Sequence, residues 1–234
     1  MENHLREVTT AMIKTVIFDL DGTLLNTLQD LANAANWVCG VNNWPTHPTV
    51  AYKTMVGDGI PKLVERFAPP WARTEAMLGG ALAQFSARYA AHKMDTTAPY
   101  PGMKAVLKAL QAGGVRLAVF SNKSDGLCKL IIRHYFGDSF ALVRGSLPGV
   151  PTKPDPTGLQ QLMKQLGATP ETTLFVGDSD VDIHTAHNAG LMAVGACWGF
   201  RGAEELKAAG ADALADSPAG LLALVQTINA NSRD

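Results

Sequence analysis

Short apolar, partly β-branched runs recur along the chain at residues 15–18, 115–120, 140–143, 173–176 and 192–197, each of strand length. Helical periodicity fills the stretches between the later ones. Leu127, Leu130, Ile131 and His134 fall at i, i+3, i+4 and i+7, as do Leu159, Leu162, Met163 and Leu166, and again Leu221, Leu224, Val225 and Ile228. Each set predicts one apolar helix face. Asp155-Pro156 and Ser217-Pro218 predict helix starts, an N-cap followed by proline at the first helical position. Strands apolar on both faces and alternating with helices predict an α/β fold, a doubly wound, Rossmann-like parallel sheet with right-handed crossovers on both sides.

The interval between the first strand and the second, residues 19–114, is far longer than one crossover needs, and most of it has a helical pattern. Residues 26–41, 49–67 and 74–93 are its expected helices, broken at Trp44-Pro45 and Pro69-Pro70. The expected organisation is a catalytic core over residues 13–25 and 97–234, with a small α-helical cap inserted over residues 26–96. Residues 24–26 and 98–102 would be the two hinge strands. Trp37, Trp44, Phe67, Trp71 and Phe85 are expected in the cap's own core. Residues 1–12 are polar and without period, so they are expected to form a leader, with Met12 as an alternative start.

Composition narrows the class of function. Hydrophobic residues at 47% and charged residues at 18% suit a globular chain with a sizeable core. A net charge of −1 provides no field for a nucleic-acid backbone or an anionic membrane, so neither is expected as a partner. Cys39, Cys128 and Cys197 are far apart and form no C-x-x-C pair, which points to neither a disulfide framework nor a zinc knuckle. No apolar run reaches the roughly 18 residues of a membrane span. The cytoplasm is the expected location, and the chain is expected as a monomer or homodimer.

In open parallel sheets ligands bind at the carboxyl ends of the strands. Those ends are strongly polar here. The first strand runs into Asp19-Leu20-Asp21-Gly22-Thr23, the second into Ser121-Asn122-Lys123, and a later one into Asp178-Ser179-Asp180-Val181-Asp182, while Lys153 precedes the helix near Pro156. Asp19 and Asp21 are two apart and leave one side of an extended strand. With Asp178 beside them, the carboxylates would repel one another unless a cation neutralised them, and an all-oxygen site with few protein ligands suits Mg²⁺. Asp178-x-Asp180-x-Asp182 begins like a calcium loop, but Ile183 stands where such a loop needs glycine and Ala189 where it needs the bidentate glutamate. His184 and His187 recruit no further ligand and are taken as structural.

These residues match, in order and at strand ends, the four signature motifs of the haloacid dehalogenase superfamily, which the chain resembles over residues 14–200. F-D-L-D-G-T-L-L-N-T at 18–27 resembles the phosphatase form of the first motif and V-G-D-S-D-V-D-I at 176–183 the fourth. The insertion after the first strand resembles the small helical cap of the first subclass. Gly57-Asp58-Gly59 followed by Leu63-Val64-Glu65-Arg66 is similar to the phosphoglycolate phosphatases.

The resemblance implies a Mg²⁺-dependent hydrolase of small phosphomonoesters. Asp19 would be the nucleophile, forming an aspartyl-phosphate and ligating Mg²⁺, and Asp21 the acid and base, ligating through its backbone carbonyl. Ser121 and Asn122 would hold phosphoryl oxygens, Lys153 would neutralise charge, and Asp178 would complete the metal ligands. Asp182 would orient Lys153 or metal-bound water. Thr23 would hydrogen-bond near the nucleophile beside the supporting Gly22. Arg66, or Lys62, would reach a substrate carboxylate from the cap. Thr23 favours hydrolysis over the related phosphomutase chemistry, and Asp21 disfavours dehalogenation. Four intact motifs disfavour a non-catalytic binding protein.

Overall fold

The first strand, β1 (Thr15–Phe18), is buried throughout and runs through the middle of a parallel sheet. The computed structural model describes residues 11–232. The leader expected over residues 1–12 therefore lies outside the described residues except for Ala11 and Met12. After β1 come β2 (Leu25–Asn26), the helices α1 (Leu28–Val41), α2 (Tyr52–Met55), α3 (Ile60–Phe67) and α4 (Glu75–His92), and β3 (Ala98–Pro99). The remainder alternates: α5 (Met103–Ala112), β4 (Arg116–Ser124), α6 (Asp125–Phe136), β5 (Leu142–Ser146), α7 (Thr157–Leu166), β6 (Thr173–Gly177), α8 (Asp180–Asn188), β7 (Met192–Ala196), α9 (Ala203–Ala208), β8 (Ala213–Ala215) and α10 (Pro218–Asn231).

The main sheet is wholly parallel, in the order β5-β4-β1-β6-β7-β8. The chain fills one side of β1 through β5, then returns to β6 on the other side, which is the doubly wound arrangement. The strand order reverses between β1 and β6, and the crevice at their carboxyl ends is where such folds bind ligands. Two apolar clusters cover the sheet's two faces, one around Phe18, Val176 and Val225, the other around Ile17, Phe175 and Leu162. Among the described residues no helix is long and apolar enough to cross a membrane.

Helices α1 to α4 pack around a third cluster that includes Leu31, Trp44, Tyr52, Phe67, Phe85 and Tyr89. Trp37 and Trp71, expected inside it, are 40% and 62% exposed. Arg88 lies over the Trp37 ring, and Trp71 meets Trp44 edge-on. The single helix expected over residues 49–67 is broken into α2 and α3, because Gly57 and Gly59 adopt φ of +133° and +86°. Strand β5 begins two residues later than expected, since Phe140 turns instead onto the rings of Phe18 and Phe136. On α6 the buried stripe is Cys128, Ile131, Ile132 and Phe136, which leaves Leu130 exposed.

Both chain crossings between these helices and the sheet are tied together. β2 and β3 pair antiparallel, and buried Asp30 on α1 accepts hydrogen bonds from the backbone N–H and hydroxyl groups of both Thr96 and Thr97, at 2.6–3.1 Å. Burial works to raise the Asp30 pKa, but these bonds outweigh it and hold the carboxyl below its usual range. Asp30→Ala strands several donors at once. It should cost about 2–3 kcal/mol and lower the melting temperature by about 5–10 °C. A fall under about 2 °C in differential scanning calorimetry would mean that the β2–β3 pairing alone fixes the crossing.

Candidate active site

Asp19 leaves the end of β1 at the reversal point, its backbone N–H donating to Val176 of β6 at 2.9 Å. The chain then folds tightly back, with the N–H groups of Leu24 and Leu25 both donating to Leu20. Gly22 makes this turn possible. Its φ is +84°, and a Cβ there would collide with the Asp178 carboxylate. Gly199, after β7, is held to glycine by space alone, since a Cβ there would collide with Asp178 and with Gly22 O.

Asp19, Asp178 and Asp182 are buried, and each offers a carboxylate oxygen within 4.8 Å of the others. Lys153, on the loop between β5 and α7, sits among them with Nζ 2.9 Å from Asp19 Oδ1 and 2.6 Å from Asp182 Oδ1. Burial opposes the lysine's charge, yet Asp182 and Asp19 outweigh it and raise its pKa above the usual range. Burial is also the main cause that pushes Asp19 up to about 6, with Lys153 opposing and the charges of Asp182 and Asp21 adding to it. Asp178 is likewise raised, by burial and by its two carboxylate neighbours, although Phe200 N–H donates to it at 2.7 Å.

Asp182 is fully engaged. Its second oxygen accepts from the backbone N–H groups of Asp178 and Ser179 and from the Ser179 hydroxyl, so it both caps α8 and holds Lys153. Thr23 donates to Asp178 at 3.3 Å rather than to Asp19. The engagement of Asp182 leaves Asp19 and Asp178, two close, buried carboxylates, as an oxygen donor set that fits a hard divalent cation.

Ser121, Asn122 and Lys123 lie where the β4–β5 register is irregular, a kind of distortion that re-aims side chains beside sites. Ser121 lines the cleft. Asn122 links parts of the site: its oxygen accepts from Lys153 N–H at 2.8 Å, and its amide donates to Gly57 O at 3.0 Å. Lys123, to which the sequence pattern assigns no role, grips both oxygens of Asp21 at 2.9 and 2.7 Å. Its Nζ also sits 4.9 Å from the centre of the Tyr89 ring on α4. Burial opposes its charge, but Asp21 raises its pKa above the usual range.

Asp19, Asp21, Ser121, Asn122, Lys123 and Asp178 line a cleft of about 40 Å³, roofed by Leu31, Val56, Ile60 and Leu63 from the helical insertion, with Phe200 and Arg201 at its edge. Arg66 does not line it. Its guanidinium pairs with Asp58 at 2.5 Å and donates to Met55 O at 2.8 Å, so the cation expected to meet a substrate is bound to its own helical layer. Lys62 pairs with Glu65 at 2.8 Å, largely exposed.

Residues 16–196 match the haloacid dehalogenase-like hydrolase family. The chain belongs to that family and is a phosphatase of it. It is 35% identical to the phosphoglycolate phosphatase of Rhodospirillum rubrum, over 90% of each chain. It is 34% identical to that of Haemophilus influenzae strain ATCC 51907, over 91% of this chain and 98% of the other. A crystal structure of a predicted phosphoglycolate phosphatase from Haemophilus somnus 129pt superposes with a TM-score of 0.83 at 33% identity, covering 92% of this chain and 98% of that one.

Proposed function

We propose that this phosphatase hydrolyses a small phosphorylated acid, with 2-phosphoglycolate as the first candidate, through an aspartyl-phosphate on Asp19. The observation that carries the reading is the buried group of Asp19, Asp178, Asp182 and Lys153 at the β1–β6 reversal, opening into a cleft of only about 40 Å³. The roof of Leu31, Val56, Ile60 and Leu63 offers no hydrogen-bonding side chain to the hydroxyl groups of a sugar or nucleotide. The names of the relatives support the choice of acid.

Asp19 is the nucleophile, attacking phosphorus in line while Lys153 balances the charge shared by carboxylate and phosphoryl group. Asp21, ion-paired with Lys123 in the resting site, picks up a proton from solvent, passes it to the departing alkoxide and regains one from the water that hydrolyses the intermediate. Ser121 and the Asn122 backbone orient phosphoryl oxygens. Asp19, Asp178 and the Asp21 backbone carbonyl would hold Mg²⁺, which supplies electrostatic stabilisation of the phosphoryl oxygens when bound. Asp182 positions Lys153. Residues 26–96 act as the cap, excluding water from the reacting groups. The free thiols of Cys39, Cys128 and Cys197 suit a reducing cytoplasm.

Phosphate release by the purified protein should disappear with a chelator and return with Mg²⁺. Among phosphorylated two- and three-carbon acids, sugars and nucleotides, 2-phosphoglycolate should give the highest kcat/KM. A sugar phosphate or nucleotide leading by about tenfold would remove the substrate assignment and leave the phosphatase standing. Turnover indifferent to chelation would remove the metal assignment.

A further inference from the structure

If the substrate is an acid, its carboxylate needs a cation at the cleft. Lys153 is held between Asp19 and Asp182, and Lys123 by both oxygens of Asp21. Arg201, between β7 and α9, differs from both. Its side chain is only 10% exposed and lines the cleft, yet its nearest carboxylate, Glu205, lies 3.7 Å away, beyond hydrogen-bonding distance. One Nη2 hydrogen bond of 3.0 Å, to Val56 O, holds the guanidinium against the cap. A guanidinium carries five N–H donors in a planar fork suited to a carboxylate, so most of its capacity is left for a ligand.

We infer that Arg201 is the specificity residue that receives the substrate's carboxylate, in the place that the sequence pattern gives to Arg66. The inference rests on the acid-substrate reading above. Binding there would hold the substrate's anion in the same cleft that Asp19 lines. The apolar residues Leu31, Val56, Ile60 and Leu63 line the same cleft and offer nothing else to pair with a carboxylate.

The experiment compares kcat/KM for 2-phosphoglycolate with that for 2-hydroxyethyl phosphate, which has the same length and no carboxylate. The ratio of the two cancels any general damage from loosening the contact to Val56. Arg201→Met should lower the ratio about 10- to 100-fold, mainly through KM for the acid, while turnover of the neutral ester persists. Arg201→Lys, which keeps the charge and loses the fork, should fall between Arg201→Met and wild type, and serves if the methionine variant does not fold. Arg66→Ala should leave the ratio within about twofold of wild type. A wild-type ratio near unity would remove the acid-substrate reading and this inference with it. A high wild-type ratio that survives both Arg201 variants, or that collapses only in Arg66→Ala, would overturn the role of Arg201 alone.

Discussion

Asp19→Asn should reduce kcat by roughly 10⁴-fold or more, with the fold intact. The amide is nearly the same size as the carboxylate, so the turn around Gly22 and the contacts of β1 are undisturbed. What disappears is the nucleophile, since an amide oxygen carries no charge with which to attack phosphorus. The variant should melt no more than about 3 °C below wild type, because burial raises the Asp19 pKa to about 6, so its charge opposes folding at neutral pH and the neutral amide removes that cost. Steady-state phosphate release tests the first part and differential scanning calorimetry the second. Residual activity of about a tenth of wild type, with contamination excluded, would contradict the assignment.

Asp21→Asn should separate two chemical steps. Phosphoglycolate expels a basic alkoxide, so forming the aspartyl-phosphate from it needs a proton, whereas a nitrophenyl phosphate expels a stable phenolate. In single-turnover experiments, formation from phosphoglycolate should slow by about 10²- to 10⁴-fold and formation from the aryl ester far less. With the aryl ester the phosphoenzyme should accumulate, because its hydrolysis still needs the missing base. Equal slowing for both substrates with no accumulation would show instead that Asp21 shapes the site and moves no proton.

The sheet was legible because buried parallel strands carry the plainest of local signals, a short apolar run cut off by polar residues. β8 was missed for the same reason. Its Ala-Leu-Ala has no β-branched or aromatic residue, and only pairing with β7 makes it a strand. The helix expected over 49–67 followed apolar spacing through Gly57 and Gly59, where backbone sterics prevailed. Lys153 and Asp182 follow from the resemblance to the family's motifs, whereas Asp19 and Asp178 could be brought together from sequence because strand ends converge in an open parallel sheet, wherever they fall along the chain. Lys123 and Arg201 could not. The partner of Lys123 lies 102 residues away, and Arg201 sits in a loop with nothing periodic about it. Arg66 shows the converse, since Asp58, eight positions back, becomes its partner only once the chain turns at Gly59.

The seat of Lys123 ties its hold on Asp21, the proposed proton carrier, to the position of the helical insertion. Its stem belongs to the sheet, but the ring that shelters its ammonium belongs to α4. Any swing of the insertion that carried Tyr89 off would let water reach that charge. The attraction between Lys123 and Asp21 would then weaken about fourfold, in going from an effective dielectric near 20 to that of bulk water. On the proposed mechanism, an enzyme with its cleft open would hold the Asp21 carboxylate slackly and fix its aim only as the insertion closed, so the side chain would be placed for reaction only over an enclosed substrate.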